Sequence, residues 1–141
     1  MNDKKIKTIC FIVFSAYILI VLRLTIFRSG ALFEERQLNL AVFSDLIHVY
    51  RNVGVRRFLW LFFGNIGWFV PFGFLLPILL KKESFLKVVV MGFMFSFTIE
   101  SLQFIFRIGV AELDDLILNT LGTAIGYLIY KLWLHCKKNF L

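Results

Sequence analysis

The chain has 141 residues, of which 60% are hydrophobic, 18% aromatic and only 18% charged, with a formal net charge of +7. Soluble domains average about 45–50% apolar and about 25% charged residues, so this composition excludes a disordered chain, a disulfide scaffold and an ordinary soluble enzyme. The apolar residues lie in long uncharged blocks, the signature of helices solvated by lipid.

Four such blocks follow one another: residues 8–27, 58–80, 88–106 and 116–134. Each is close to the length needed to cross about 30 Å of hydrocarbon. They predict an all-α membrane protein, a four-transmembrane-helix bundle forming one domain over residues 1–141. The first block follows Lys4, Lys5 and Lys7 but lacks a small-x-small cleavage pattern, so it reads as a span and not as a removed signal. Cys10 falls at the inner end of span one and Cys136 in the cytoplasmic tail, where a structural disulfide is not expected.

Basic residues assign the orientation. Every lysine (4, 5, 7, 81, 82, 87, 131, 137, 138) lies at a terminus or between spans two and three. Every arginine (23, 28, 36, 51, 56, 57, 107) lies at or between the opposite ends. The predicted topology is multi-pass in a bacterial cell membrane with both termini cytoplasmic. The whole positive charge then belongs to the inner face, and nucleic acid is not needed to explain it. Outside, the arginines meet Glu34, Glu35, Asp45, Glu100, Glu112, Asp114 and Asp115.

Between spans one and two, residues 28–57 are too apolar for a disordered loop. Leu40, Phe43, Ile47 and Tyr50 recur at helical spacing, and Ser44 or Asp45 suits the helix start. The expectation is a short amphipathic helix on the outer interface, or a re-entrant piece. His48 on its polar side reads as a surface residue.

Span two contains Gly64, Gly67, Gly73, Pro71 and Pro77 besides Asn65. Such a helix is either kinked for packing or broken to line a polar pocket. Span three places Ser96, Glu100, Gln103 and Arg107 on one face. A carboxylate inside a span costs several kcal/mol without a partner and marks a functional site by default; Arg23 of span one is the expected partner. Span four opens with Glu112, Asp114 and Asp115. Asp115, Asn119, Gly122 and Gly126 then share a face, with Asp115 also suited to the helix N-terminus. Gly122-x-x-x-Gly126 permits close helix approach, within the chain or in a homo-oligomer.

These polar residues fall at one depth. At about 1.5 Å per residue, Glu100 lies about 10 Å, Asn65 about 12 Å and Asn119 about 6 Å from the outer ends of their segments. All four spans thereby contribute to a predicted outer-leaflet pocket whose ligand-binding residues are Arg23, Asn65, Glu100, Gln103, Arg107, Asp115 and Asn119. No zinc-ligand spacing is present, and neither metal nor cofactor is expected.

Asn39-Leu40-x-x-Phe43, Asn65-x-x-x-Phe69-x-Pro71-x-Gly73-x-Leu75-Leu76-Pro77, Ile99-Glu100-x-x-Gln103 and Asp114-Asp115-x-x-x-Asn119-Thr120-x-Gly122 together resemble the VanZ-like family, over roughly residues 10–132. The chain departs from the pattern at Val42, where proline is usual, and at Glu112, where aspartate is usual. The resemblance implies low-level resistance to teicoplanin, a lipoglycopeptide acting on wall precursors outside the membrane.

Three functions follow as expectations. First is a resistance or cell-envelope factor binding an amphiphile, either a lipid-linked wall precursor or the lipoglycopeptide, among membrane lipids. Second is an intramembrane enzyme on a lipid or wall precursor, with Glu100, Asp114 and Asp115 as acid, base or cation ligands. Third is a flippase or transporter element, which with four spans needs a dimer through the Gly122/Gly126 seam.

Overall fold

The computed structural model describes residues 3–26, 32–80 and 84–140. Arg28, Lys81, Lys82 and Glu83, which enter the charge argument, lie outside the described residues.

The described residues form five helices and two short strands. They are α1 (Asp3–Ile26), β1 (Gln37–Asn39), α2 (Ser44–Asn52), α3 (Val55–Leu80), α4 (Phe85–Phe106), β2 (Val110–Glu112) and α5 (Leu113–Phe140). Among the described residues, three helices are long and apolar enough to cross a membrane: Lys4–Thr25, Val55–Leu80 and Phe85–Phe106. The fourth long helix, α5, has 28 residues but carries Asp114 and Asp115 in its first turn and Lys137 and Lys138 in its last.

Helix α3 lies at the centre of the bundle and pairs most extensively with α5. A Cβ on Gly73 would sit 1.9 Å from the Thr123 carbonyl oxygen, one on Gly122 2.2 Å from that of Ile66, and one on Gly126 2.1 Å from that of Val70. These glycines let the two backbones touch, an approach no side chain permits. The matching order of contacts, Ile66 to Gly122 and Val70 to Gly126, shows that α3 and α5 run parallel. The Gly122/Gly126 face is therefore filled from within the chain, and the seam considered for a second copy is not free.

Helices α1 and α4 run the other way. Lys7 Nζ donates to the Leu79 carbonyl at 3.4 Å, and Tyr17 Oη donates to the Trp68 carbonyl at 2.7 Å. Phe95 stacks on Phe72 with centroids 5.3 Å apart, and Ile99 packs with Phe69. Val88 joins Phe72, Leu76, Tyr127 and Tyr130 at the other end of the core. Between the alternatives for the proline-bearing span, the structure takes the unbroken one: α3 continues through Pro71 and Pro77. The close fit against α5 holds the helix together where two backbone donors are missing.

The segment between α1 and α3 contains more than the expected helix. β1 pairs in parallel with β2, Gln37 opposite Val110, Leu38 opposite Ala111 and Asn39 opposite Glu112. The linker between α1 and α2 and the one between α4 and α5 are thus sewn together. Phe33 N–H donates to the Arg107 carbonyl at 2.8 Å, which extends the seam. Helix α2 begins later in the pattern than its apolar spacing implies. Phe43 occupies the N-cap position with φ 55°, Ser44 and Asp45 do not cap it, and Leu46, not Ile47 or Tyr50, is its buried residue. Leu46 packs with Ile66 and Leu118, locking α2 over α3 and α5. Leu40, Ile47 and Tyr50 stay exposed.

Candidate functional site

Polar side chains concentrate at the end of the bundle covered by β1, β2 and α2. There Asn65, Glu100, Gln103, Asp115 and Asn119 line one cavity of about 100 Å³, walled on its apolar side by Val21, Phe69 and Ile99. Three of the four long helices thereby bring together five of the seven residues singled out from sequence, and α1 supplies Val21 and Thr25.

The three side-chain amides each join two helices. Asn65 Nδ2 donates to Asp115 Oδ1, joining α3 to α5. Asn119 Nδ2 donates to Ser96 Oγ at 2.9 Å, joining α5 to α4. Gln103 Nε2 donates to the Thr25 carbonyl at 3.2 Å, joining α4 to α1. Because a carboxylate and a carbonyl only accept, the first and third of these fix which end of the amide points where. Gln103 Oε1 is buried without a hydrogen-bond partner.

Glu100 is only 8% exposed. Its Oε2 accepts the backbone N–H of Glu112 at 2.9 Å. The carboxylate thus anchors β2 onto α4, and the strand in turn supplies the donor that a buried carboxylate requires. The expected pairing with Arg23 does not occur: Arg23 is exposed and lies outside the cavity wall. Helix α1 turns that side chain away, and the strand amide takes its place beside Glu100.

Arg107 also lies outside the cavity. It follows the last residue of α4 in the left-handed conformation, φ 58°, and ends the helix. Its guanidinium reaches across to donate to the Glu34 carbonyl at 3.0 Å. The four-residue spacing that put Arg107 on the Glu100 face assumes that the helix runs on through Arg107, one residue beyond its last, Phe106.

On the opposite side of Glu100 is an apolar pocket of about 200 Å³ whose walls include Leu38, Leu40, Phe97, Phe104 and Leu116. Glu100 and Glu112 contribute to it as well. The carboxylate therefore separates a small polar cavity from a larger apolar one, an arrangement with amphiphilic character.

Asp114 is absent from both. It is 3% exposed, and its Oδ1 accepts the Phe43 backbone N–H at 2.7 Å, while Oδ2 is buried without a partner. Asp45, close by in α2, accepts from Asn39 Nδ2 at 2.8 Å, and Asn39 Oδ1 accepts the Ala41 N–H at 3.0 Å. Asn39, Phe43 and Asp114 thus tie the end of β1 and the start of α2 to the first turn of α5. Sequence reasoning missed this role for Asp114; its only trace was the co-occurrence of Asn39, Phe43 and Asp114-Asp115 in one set of motifs. Ser96 and Thr123, both fully buried, were also left out of the site, although Ser96 shares the face of Glu100.

No cluster of three or more metal-ligating side chains occurs among the described residues. What the site offers is amide and carboxylate recognition in a confined space, beside an apolar pocket.

A family profile described as VanZ/LLP1 matches residues 14–134. Protein VanZ of Enterococcus faecium is 40% identical over 68 residues, which cover 48% of this chain and 42% of that protein. The match thus spans less than half of that relative's length. No solved structure matches the chain.

Proposed function

Because the chain belongs to the VanZ/LLP1 family of membrane proteins, we propose that it is a teicoplanin-resistance-associated factor of the cell envelope. Its action is to bind the head of an amphiphile at the outer side of the membrane. The observation that carries this reading is the pairing of compartments across Glu100, polar on one side and apolar on the other. A cavity of about 100 Å³ has room for a few waters at about 30 Å³ each. It suits a fragment of a head group, such as an amide or hydroxyl cluster, and not a whole lipoglycopeptide. An acyl or aromatic portion fits the larger pocket, which points to a lipid-linked wall precursor or the acylated end of the antibiotic.

The same proposal includes α5 as a fourth span. It runs parallel to α3 in backbone contact with it, so a membrane crossed by α3 is crossed by α5 beside it. In the middle of α5 the polar residues Asn119 and Thr123 face the interior, where they are hydrogen-bonded. With the lysine-bearing ends cytoplasmic, the cavity opens toward the outer leaflet.

Teicoplanin and vancomycin susceptibility of cells expressing the wild type or Glu100→Gln tests the reading. Expression of the wild type is expected to raise teicoplanin tolerance, and E100Q is expected to lose the gain. No shift with the wild type overturns the resistance function. A shift that E100Q retains overturns the assignment of that function to this cavity.

A further inference from the structure

Away from the cavity, the outward face of α3 carries a long open groove of about 1150 Å³. Arg56 and Arg57 stand at one end and Trp68 at the other, with Trp60 and Phe63 along its side. Both arginines are exposed, and α3 has no acid in its first turn to balance them. A cation there is opposed by the helix dipole, which favours an anion at the same place. Trp60 is 72% and Phe63 60% exposed.

The floor of this groove is made by Gly64 and Gly67. Unlike Gly73, Gly122 and Gly126, neither has any atom within 4 Å of where a Cβ would stand. Packing within the chain therefore does not explain them, and glycine is the poorest ordinary helix former. A ligand lying against the helix does explain them. The groove runs over a stretch of α3 about 18 Å long at about 1.5 Å per residue, close to the half-thickness of about 15 Å of a bilayer's hydrocarbon core.

We propose that this groove seats an anionic diacyl phospholipid, with its phosphate on Arg56 and Arg57 and an acyl chain lying over Gly64 and Gly67 between the aromatic side chains. The site is separate from the Glu100 cavity. Paired guanidiniums suit a phosphate oxygen fork, while the apolar wall beneath them suits a chain and not a soluble anion. The occupant is a single lipid of one leaflet, held by charge at the head and by shape below.

The chain contains three tryptophans, and Trp133 packs against Phe74 and Tyr130, outside the groove. In a Trp133→Phe background, Trp60 and Trp68 report the groove. The full chain is reconstituted in phosphatidylcholine vesicles containing brominated phosphatidylglycerol or brominated phosphatidylcholine, and tryptophan quenching is compared. Brominated phosphatidylglycerol is expected to be preferred at least about fivefold, the attraction usual for one basic side chain at an anionic surface. Arg56→Gln with Arg57→Gln is expected to remove the preference, and Arg56→Lys with Arg57→Lys to keep most of it. Gly64→Leu with Gly67→Leu fills the floor and is expected to lower quenching by both lipids, with helix content by circular dichroism unchanged. Equal quenching by the two lipids in the background chain overturns the proposal. So does a preference that survives the glutamine pair, or quenching that the leucine pair leaves unchanged.

Discussion

The carboxylate of Asp114 holds the backbone N–H of Phe43 at 2.7 Å, across 71 residues of chain. Phe43 has φ 55°, a conformation uncommon for a bulky residue, and it starts α2 from there. One buried hydrogen bond thus ties the first turn of α5 to the turn that aims α2 over the bundle. Asp114→Ala leaves that N–H without a partner and is expected to cost about 1–3 kcal/mol, read as a lowered thermal midpoint in detergent. Asp114→Asn keeps an acceptor and is expected to cost less. Equal losses for the two would show that the acceptor is not what matters.

The glycines divide into two kinds with opposite consequences. Gly122→Leu drives a side chain into the Ile66 carbonyl, which a Cβ already approaches to 2.2 Å, and overpacking of this kind costs about 1–3 kcal/mol or more. Gly64→Ala meets nothing within 4 Å and is expected to stabilise α3 by up to about 1 kcal/mol. Denaturation of both in the same detergent gives the signs directly.

Ser96 and Asn119 form a buried side-chain pair between α4 and α5 at 2.9 Å. A double-mutant cycle with Ser96→Ala and Asn119→Leu is expected to give a coupling of about 0.6 kcal/mol, the average for polar pairs between membrane helices. Zero coupling would mean that the two side chains pack together without exchanging a proton donor.

Glu100 has a structural duty and a charge, and two substitutions separate them. Glu100→Gln retains a carbonyl oxygen for the Glu112 N–H and is expected to leave the thermal midpoint close to that of the wild type. Glu100→Ala removes the acceptor that holds β2 on α4 at 2.9 Å and is expected to cost about 1–3 kcal/mol. Indistinguishable midpoints for the two would remove Glu100 from the support of β2.

Long apolar blocks and internal carboxamides and carboxylates were legible because lipid imposes a strict rule: polar residues that persist inside a span must face protein. Asn65, Glu100, Gln103, Asp115 and Asn119 obey it and converge on one cavity. Other features escaped for local reasons. The strands Gln37–Asn39 and Val110–Glu112 have three residues each, too few for an alternating pattern to stand out. Periodicity carried the polar face of span three on to Arg107, although the helix stops at Phe106. A charge-pairing argument chose Arg23 for Glu100, but the donor is a main-chain amide, which no side-chain inventory reveals. Leu46 took the buried place assigned to Ile47 because Phe43 turns the chain before α2 begins.

Parallel pairing of β1 with β2 also sets an order of events during synthesis. The ribosome makes Gln37–Asn39 long before their partners Val110–Glu112, with α3 and α4 still to come. Until α4 has been threaded and its far end has emerged, β1 has nothing to bond, and Phe43 has no Asp114 to hold it. The strand seam and the cavity beside it are consequently late products of biogenesis: a nascent chain halted before residue 112 lacks both the partner of β1 and the Asp115 and Asn119 side chains that complete the cavity wall.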